Sequence, residues 1–468
     1  MKAAGTKVIV TVIPILLLFA CGGGGGSGQV NQVPTPEPEA PADPEPPSFE
    51  WETATPDSVG LSSENVEAAM NFAMKDGAFS QSLIIVKDGK IVGEEYKGIG
   101  DYESEVLKMF EGSSLSDETL EPYQSRDMNS LATSWSMAKS VTSLLFGIAR
   151  GMDYFPDGFE ESASTYLNEW ENDDRKRITI KNILDMRSGL EPGCYTDAWY
   201  VCDGGGLSSG GSFGLSEDQL TGCINRNLAQ TGIPHPWYYA GMPFQDGYFK
   251  YSNCDTMILG EIFFRATGKD IMTFAETYLF SELGIKADWW KDSAQNGQAD
   301  GNYLTYCCID ATPRDFAKIG LLIMNNGVWQ DKQIVPASFI EDIKDITDNS
   351  VVSELNGSFS YGMKFWTISP GTNCGPENDS ECVPKNTIYS AIGFDGQYIM
   401  MDFRSNLIVV RNSLYSPLLG YSDQKKWYQN PSDSSETNAP ITLPSLISLG
   451  RVGQTFYSAG LMYELLKE

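Results

Sequence analysis

Ser136-Met137-Ala138-Lys139 and, much further along, Tyr251-Ser252-Asn253 are the two short segments able to do chemistry together. On a helix, a serine and a lysine three apart share one face about one turn apart, so the amine reaches the hydroxyl. A serine hydroxyl attacks poorly until a neighbouring base takes its proton, and a desolvated lysine is such a base. The pairing alone carries little, since roughly one or two Ser-x-x-Lys arise by chance in a chain this long. Ser422-Asp423-Gln424-Lys425 is one, set among polar and turn residues. Ser136 differs because Val141, Leu144, Leu145 and Ile148 follow it at helical spacing. That pattern puts the serine at a helix N-terminus, where the macrodipole and free N–H groups favour developing negative charge. The structural alternative is an N-cap serine with a snorkelling lysine. Taken alone, Tyr251 and Asn253 read equally as a loop tyrosine and a turn asparagine.

The elements that must position these groups can be read from periodicity and turn chemistry. Val66, Ala69, Met70, Ala73 and Met74 form a helical stripe. Leu83 to Val86, the turn Asp88-Gly89, and Ile91 to Tyr96 read as a β-hairpin. From Ser136 to about Gly301 the chain reads as helices and long Gly-rich loops. Thr312-Pro313-Arg314-Asp315 has the composition of a helix start, with an N-cap threonine and proline at the first helical position. Tyr398 to Asp402 and Leu407 to Arg411 flank Arg404-Ser405-Asn406 as a second hairpin, and an amphipathic helix is expected over Gly453 to Lys467. The expectation is a mixed α/β (α+β) fold whose sheet takes strands from both ends of the chain around a helical insert.

The chain opens with Met1-Lys2 and Lys7, then an apolar stretch from Val8 to Ala20, then Cys21. A basic start, a short apolar core and a small residue before the break read as an export signal. The run is short for a membrane span. Residues 22–49 pass from Gly-rich to Pro/Glu-rich and read as a flexible-then-stiff tether. Residues 50–468 have the composition of one globular domain with two lobes, with no second linker or internal repeat.

Against 33 Lys+Arg stand 62 Asp+Glu, a net charge of −29. That excess argues against nucleic acid as a partner and against adhesion to anionic lipid. Besides Cys21 there are cysteines at 194, 202, 223, 254, 307, 308, 374 and 382. An even number in an exported chain suggests disulfides. Cys194/Cys202 and Cys374/Cys382 each close a short loop and are the first expected pairs; the pairing of the other four stays open. With no C-x-x-C and a single histidine, His235, no metal site is expected. No cofactor motif is read.

Ser136-x-x-Lys139, Tyr251-x-Asn253 and Gly393-Phe394-Asp395-Gly396-Gln397, in this order, resemble the serine β-lactamase and penicillin-binding superfamily. The look is closest to its class C-like esterases and 6-aminohexanoate-dimer hydrolases. Ile183-Leu184-Asp185-Met186-Arg187-Ser188-Gly189-Leu190, Leu259-Gly260, the segment Ala311 to Lys318, and Tyr361-Gly362 with Trp366 also fall in the family's order. The resemblance covers nearly all of residues 55–468. It implies a β-lactamase-like fold, a central antiparallel sheet flanked by helices beside an all-helical lobe, with the site between. It implies Ser136 as acylated nucleophile, Lys139 as its base and Tyr251 as proton relay to the leaving group and then from water. Asn253 would orient Lys139 and the substrate, and the backbone N–H groups of Ser136 and Phe394 would form the oxyanion hole. Gly393, Gly396 and Gln397 belong to the same substrate-facing motif. The leader likewise resembles a bacterial lipobox, which implies a lipid on Cys21, a 1–21 signal peptide, and membrane association through that lipid alone, at the periplasmic side or cell surface.

One departure is informative. Aligning Gly393 and Gly396 with the family's glycines puts Ala391 and Ile392 where β-lactamases carry Lys-Thr. That lysine usually holds a substrate carboxylate and keeps the tyrosine's pKa down, so its loss argues against β-lactams as main substrates and leaves neutral Lys139 as the base. The expected substrate is a small ester or linear amide. A cell-wall D-amino-acid peptidase and a catalytically inactive binding protein are the alternatives. A rival nucleophile is offered by Gly206-Leu207-Ser208-Ser209-Gly210 and Gly210-Gly211-Ser212-Phe213-Gly214, which fit Gly-x-Ser-x-Gly and would need His235. They lack the preceding apolar strand and following helix, and read as a loop over the cleft. His235, between two prolines, is expected to shape a loop or touch substrate; Trp237 and its tyrosine neighbours line a pocket or fill core.

Overall fold

The computed structural model describes residues 49–105, 123–191, 218–228, 249, 251–292, 301–348, 359–368, 386–393, 396–413 and 465, all within one compact unit, Pro46–Glu468. In chain order the elements that matter are α1 (Ser63–Met74), β1 (Ser80–Lys87), β2 (Lys90–Tyr96), β3 (Ala132–Thr133), α2 (Met137–Gly151), α3 (Ile180–Leu184), α4 (Gln219–Ile224), α5 (Asn253–Thr267) and α6 (Ile271–Ala275). There follow β4 (Asp288–Trp289), β5 (Ile309–Ala311), α7 (Pro313–Met324), β6 (Val328–Trp329), β7 (Lys332–Gln333), α8 (Ala337–Lys344), β8 (Phe359–Gly362), β9 (Phe365–Ile368), β10 (Ile388–Gly393), β11 (Gln397–Asp402) and β12 (Leu407–Ser413).

Seven strands form the main sheet in the order β2-β1-β12-β11-β10-β9-β8, antiparallel throughout. The first and last hairpins meet within it, β1 beside β12, with Ile84 opposite Val410 and Lys87 opposite Leu407. Both hairpins were legible for local reasons. Asp88 and Gly89 take φ of 50° and 76°, the left-handed pair that a tight two-residue turn requires. The Asp402 carboxylate accepts from the backbone N–H groups of Arg404 and Ser405, at 2.9 and 3.3 Å, and so closes the other turn.

Alternation along the strands separates two cores. Leu83, Ile85, Val92, Met400 and Val409 face α1, whose buried Val66, Ala69 and Ala73 are the predicted stripe. Leu465, the one described residue of the expected terminal helix, is helical and buried in that same layer. Ile84, Val86, Ile399, Met401, Ile408 and Val410 face the other way, into the large core shared with α2, α7 and α8. Helix α7 starts as expected, with the Thr312 hydroxyl accepting from the Asp315 N–H at 3.2 Å and Pro313 at its first position.

The second lobe gathers around α2, which packs on α5 and α6 and on β10 and β11 of the sheet. The sequence predicts one apolar stripe on this helix. The structure instead buries every residue from Met137 to Ala149, so α2 is the central post of the molecule and not an amphipathic cover. A strap, residues 304–309, crosses beneath it. The Thr305 carbonyl accepts from Thr142 at 2.8 Å, the Thr305 hydroxyl donates to the Thr256 carbonyl at 2.6 Å, and the Tyr306 hydroxyl donates to Gln219 at 2.9 Å. One strap thus ties α2, α5 and α4 together.

Of the four cysteines whose pairing the sequence leaves open, Cys223 bridges Cys254, and Cys307 bridges its neighbour Cys308. Cys194, Cys202, Cys374 and Cys382 lie outside the described residues. No helix of the described residues is long and apolar enough to cross a membrane.

The Cys223–Cys254 bridge joins α4 to the first turn of α5 across a separation of 31 residues. A loop of that size is worth about 3–4 kcal/mol in the chain-entropy treatment. Replacing both cysteines by alanine is expected to lower the urea midpoint accordingly, and dithiothreitol is then expected to change the variant's midpoint less than the parent's.

Candidate active site

Strand β3 runs into α2 through a turn that Ser136 occupies. Trp135, just before it, has φ of 46°, a left-handed conformation costing a non-glycine residue about 1–3 kcal/mol. The turn is held from several sides. The Trp135 carbonyl accepts from Ser134 Oγ at 3.0 Å, Ala138 N at 3.1 Å and Cys308 N at 3.4 Å. Ser134 also pairs with Ile309 through its N–H and its hydroxyl, each at 2.8 Å. Ser136 is therefore the N-cap residue of α2, but its side chain caps no helix N–H. Its hydroxyl is left for the lysine.

Lys139 Nζ lies 2.9 Å from Ser136 Oγ and 2.8 Å from the carbonyl oxygen of Tyr306 on the strap. The amine is 1 % exposed, whereas Ser136 is partly open. Both of these partners are uncharged oxygens, which leaves an ammonium poorly compensated. Burial, and behind it the positive charge of Lys364, hold the Lys139 pKa well below the ordinary lysine value. A neutral amine has a lone pair to accept the serine proton. The aromatic rings of Tyr251 and Tyr306 flank it, with centroids 4.8 and 5.3 Å from Nζ.

Tyr251 precedes α5, whose N-cap Ser252 accepts from the Asp255 N–H at 3.2 Å. Its ring stacks on Trp366 at 5.6 Å and meets Tyr361 edge-on at 5.9 Å, with Phe249 completing the wall. Asn253 is the first residue of α5 and is buried. The structure thus sets the Lys139 amine against both the Ser136 hydroxyl and the Tyr251 ring, with Asn253 two residues beyond the tyrosine. The segment around Asp185 supports them. Ser188 Oγ donates to Asp255 at 2.9 Å, and Ser252 N–H approaches Met186 Sδ at 3.3 Å.

On the sheet side, β10 ends beside the turn that holds Ser136. A Cβ on Gly393 would stand 2.3 Å from the Ser134 carbonyl, so only glycine allows this approach. Gly396 has φ of 86° and its carbonyl accepts from Arg411 Nη1 at 2.7 Å. Gln397, predicted to face substrate, is placed otherwise. It is fully buried, its amide nitrogen donates to Ser413, and its amide oxygen accepts from the side chain of Asn412 and the N–H of Ser413. Such a side chain anchors β11 to β12. Phe394, His235, Trp237, Ser208 and Ser212 lie outside the described residues. Among the described residues no group of three or more His, Cys, Asp or Glu is arranged to hold a metal.

With this geometry in place, similarity to known proteins can be weighed. The family model for Beta-lactamase matches residues 65–417, three quarters of the chain. The chain belongs to the Beta-lactamase family. Over 188 residues it is 24% identical to the 6-aminohexanoate-dimer hydrolase of Paenarthrobacter ureafaciens, a stretch covering 39% of this chain and 42% of that relative's length. A Bacillus anthracis structure assigned by name to the 6-aminohexanoate-dimer hydrolases superposes with a TM-score of 0.50 at 17% identity, covering 79% of this chain and 82% of that one. The octameric penicillin-binding protein homologue of Pyrococcus abyssi gives 0.50 at 14% identity, covering 74% and 72%. The last two speak for the fold, and the family model for the membership.

Two features of this Beta-lactamase family site were missed in the sequence. Tyr306 acts through its backbone carbonyl, which no residue type announces. Lys364 lies between Met363 and Phe365, where nothing local distinguishes it from a surface turn lysine.

Because the folded-state pKa of Lys139 is depressed, the unfolded chain binds more protons at and above neutrality, and stability rises with pH until the unfolded lysine titrates. Lys139→Met removes that liability. Its denaturation midpoint at pH 7 is expected to equal or exceed the parent's, with a flatter rise toward pH 10. Reaction at Ser136 is expected to fall by about 10²–10⁴-fold, the usual worth of a general base.

Proposed function

We propose that this chain is an exported, lipid-anchored serine hydrolase that cleaves small esters or linear amides through an acyl-enzyme on Ser136. The observation that carries the chemistry is the 2.9 Å approach of a buried, pKa-depressed lysine amine to a hydroxyl at a helix N-terminus. Ser136 Oγ attacks the substrate carbonyl carbon as its proton passes to Lys139. The resulting oxyanion is met by the N–H of Ser136, and by that of Phe394 in the reading from the family's motif order. As the C–O or C–N bond breaks, Tyr251 delivers a proton to the leaving alkoxide or amine, resupplied from Lys139. Water then attacks the acyl carbon, giving its proton to the same pair, and Ser136 leaves protonated. Asn253 orients Lys139 and the substrate carbonyl group.

Three observations favour small esters and amides over β-lactams. Ala391, buried on the face of β10 that packs on α2, supplies no cation for a substrate carboxylate. The 6-aminohexanoate-dimer hydrolase of Paenarthrobacter ureafaciens acts, by its name, on a dimer of 6-aminohexanoate. The wall of Phe249, Tyr251, Tyr361 and Trp366 offers an apolar surface beside the nucleophile. Export and anchoring rest on the sequence from Met1 to Cys21.

Treating the full chain with a fluorophosphonate is expected to label Ser136, and Ser136→Ala to abolish the label. Substrate profiling is then expected to give turnover of p-nitrophenyl acyl esters or 6-aminohexanoate-type amides at least about tenfold above that of nitrocefin, a β-lactam. Label on Ser208 or Ser212 instead, or preferential release of D-alanine from cell-wall peptides, would overturn the assignment.

A further inference from the structure

Lys364 is the second lysine buried at this site, at 1 % exposure, and its backbone conformation is unusual. It and Met363 form the two-residue turn between β8 and β9, with φ of 61° and 47°. Such turns favour Asn-Gly, because left-handed residues with side chains cost free energy. Glycine would satisfy the backbone here, so what the lysine side chain does is the question.

All of its polar groups are engaged with the helical lobe. Its N–H donates to the Leu184 carbonyl at 3.1 Å, and its carbonyl accepts from Ser140 Oγ, the residue after Lys139, at 2.6 Å. Its ammonium donates to the Ile183 carbonyl at 2.7 Å and contacts Met186 Sδ at 3.3 Å. Next to it, Met363 N–H donates to Asp185 at 2.8 Å. The turn is thus a plug from the sheet, seated between α3 and α2. It also fixes Tyr361 and Trp366, the aromatic wall on which Tyr251 stacks.

We propose that Lys364 is a positioning residue of this site: a second buried ammonium that locks the Tyr361–Trp366 hairpin to the Ser136 helix and repels positive charge at Lys139. The inference rests on the reading of Lys139 as the base and deepens it. The ionisable groups around the pair come from every neighbouring element. They are Lys181 and Asp185 at α3, Tyr251 and Asp255 at α5, Tyr361 on β8 and Tyr306 on the strap. Lys181 and the Met363 N–H take up Asp185, and Ser188 takes up Asp255. Burial opposes charge on Lys364 while their residual field favours it, which lowers its pKa to about 7. Below that pH Lys364 is cationic and pushes a proton off Lys139, extending the neutral, basic form of Lys139 toward acid. Above it burial alone suffices.

The test is the pH dependence of fluorophosphonate labelling at Ser136 on the full chain, which needs no identified substrate. The parent is expected to show an acid limb as Lys139 gains a proton. In Lys364→Gly, which relieves the turn, and in Lys364→Met, which keeps the hydrocarbon stem, the limb is expected to move up by about one pH unit, the scale of one nearby charge. Lys364→Arg, always charged, is expected to leave the limb at or below the parent's. A limb that stays in place in both neutral variants, with labelling slowed equally at all pH values, would mean packing alone and overturn the proposal. Lys139→Met labelling at the parent's rate would overturn the underlying assignment of the base, and the proposal with it, whatever the Lys364 variants do.

Discussion

The hydrogen-bonded contact between the Lys139 amine and the Ser136 hydroxyl, made inside the protein on uncharged partners, is what the rest of the structure must accommodate. An ammonium in that position costs several kcal/mol unless paired. Burial resolves the conflict by disfavouring the charged form, and a neutral amine has the lone pair that a base needs. The consequences spread outward. The amine is dry because α2 is buried on every side. It is aimed because a strap fixed to α2, α4 and α5 holds the Tyr306 carbonyl below it. Ser136 meets it because the strained Trp135 turn lifts the hydroxyl clear of its own helix.

These supports come from segments far apart in the chain. Lys139 and Tyr306 are separated by 167 residues, and Ser140 and Lys364 by 224. Closing such loops costs entropy that no local contact returns, so the site forms only when both lobes are assembled. The two bridges fit this demand. Cys223–Cys254 clamps α4 to the start of α5, one residue past Asn253, and Cys307–Cys308 lies within the strap, directly after Tyr306.

Much of the architecture was legible because its causes are local. The Asp88-Gly89 turn, the Thr312-Pro313 cap and the period of α1 are short-range chemistry written in residue types. Ser136 and Lys139 were legible because a helix makes three-residue spacing into contact, and Tyr251 through the order of short motifs. The rest depended on tertiary partners. A sheet with strands from both chain ends was expected, but no residue around β1 names β12, more than 300 residues away, as its partner. Gln397 has the look of a substrate-facing amide beside two glycines, yet the end of β12 offers it Ser413 and Asn412, and the amide turns inward. The all-round burial of α2 hides behind Ser140, Thr142 and Ser143. Their hydroxyls look like a solvent face, but Ser140 and Thr142 are spent on backbone carbonyls of other segments.

Where the second cation sits constrains what the site can recognise. The resemblance places a lysine on β10 in β-lactamases, at the substrate's edge, where it can bind a carboxylate and act on the tyrosine at once. Here that position is Ala391, packed among apolar residues. The buried lysine that this chain does have, Lys364, enters from the β8–β9 turn. It spends its ammonium on Ile183 and Met186, beside α2 and 1 % exposed. A cation so placed acts on the site's protons through the protein interior, where screening is weak, but it offers no donor to a ligand in the cleft. Proton control and carboxylate recognition, joined in one side chain in the β-lactamase arrangement, are thereby separated. A site that keeps the first and lacks the second on β10 has no electrostatic reason to prefer anionic β-lactams over neutral esters and amides.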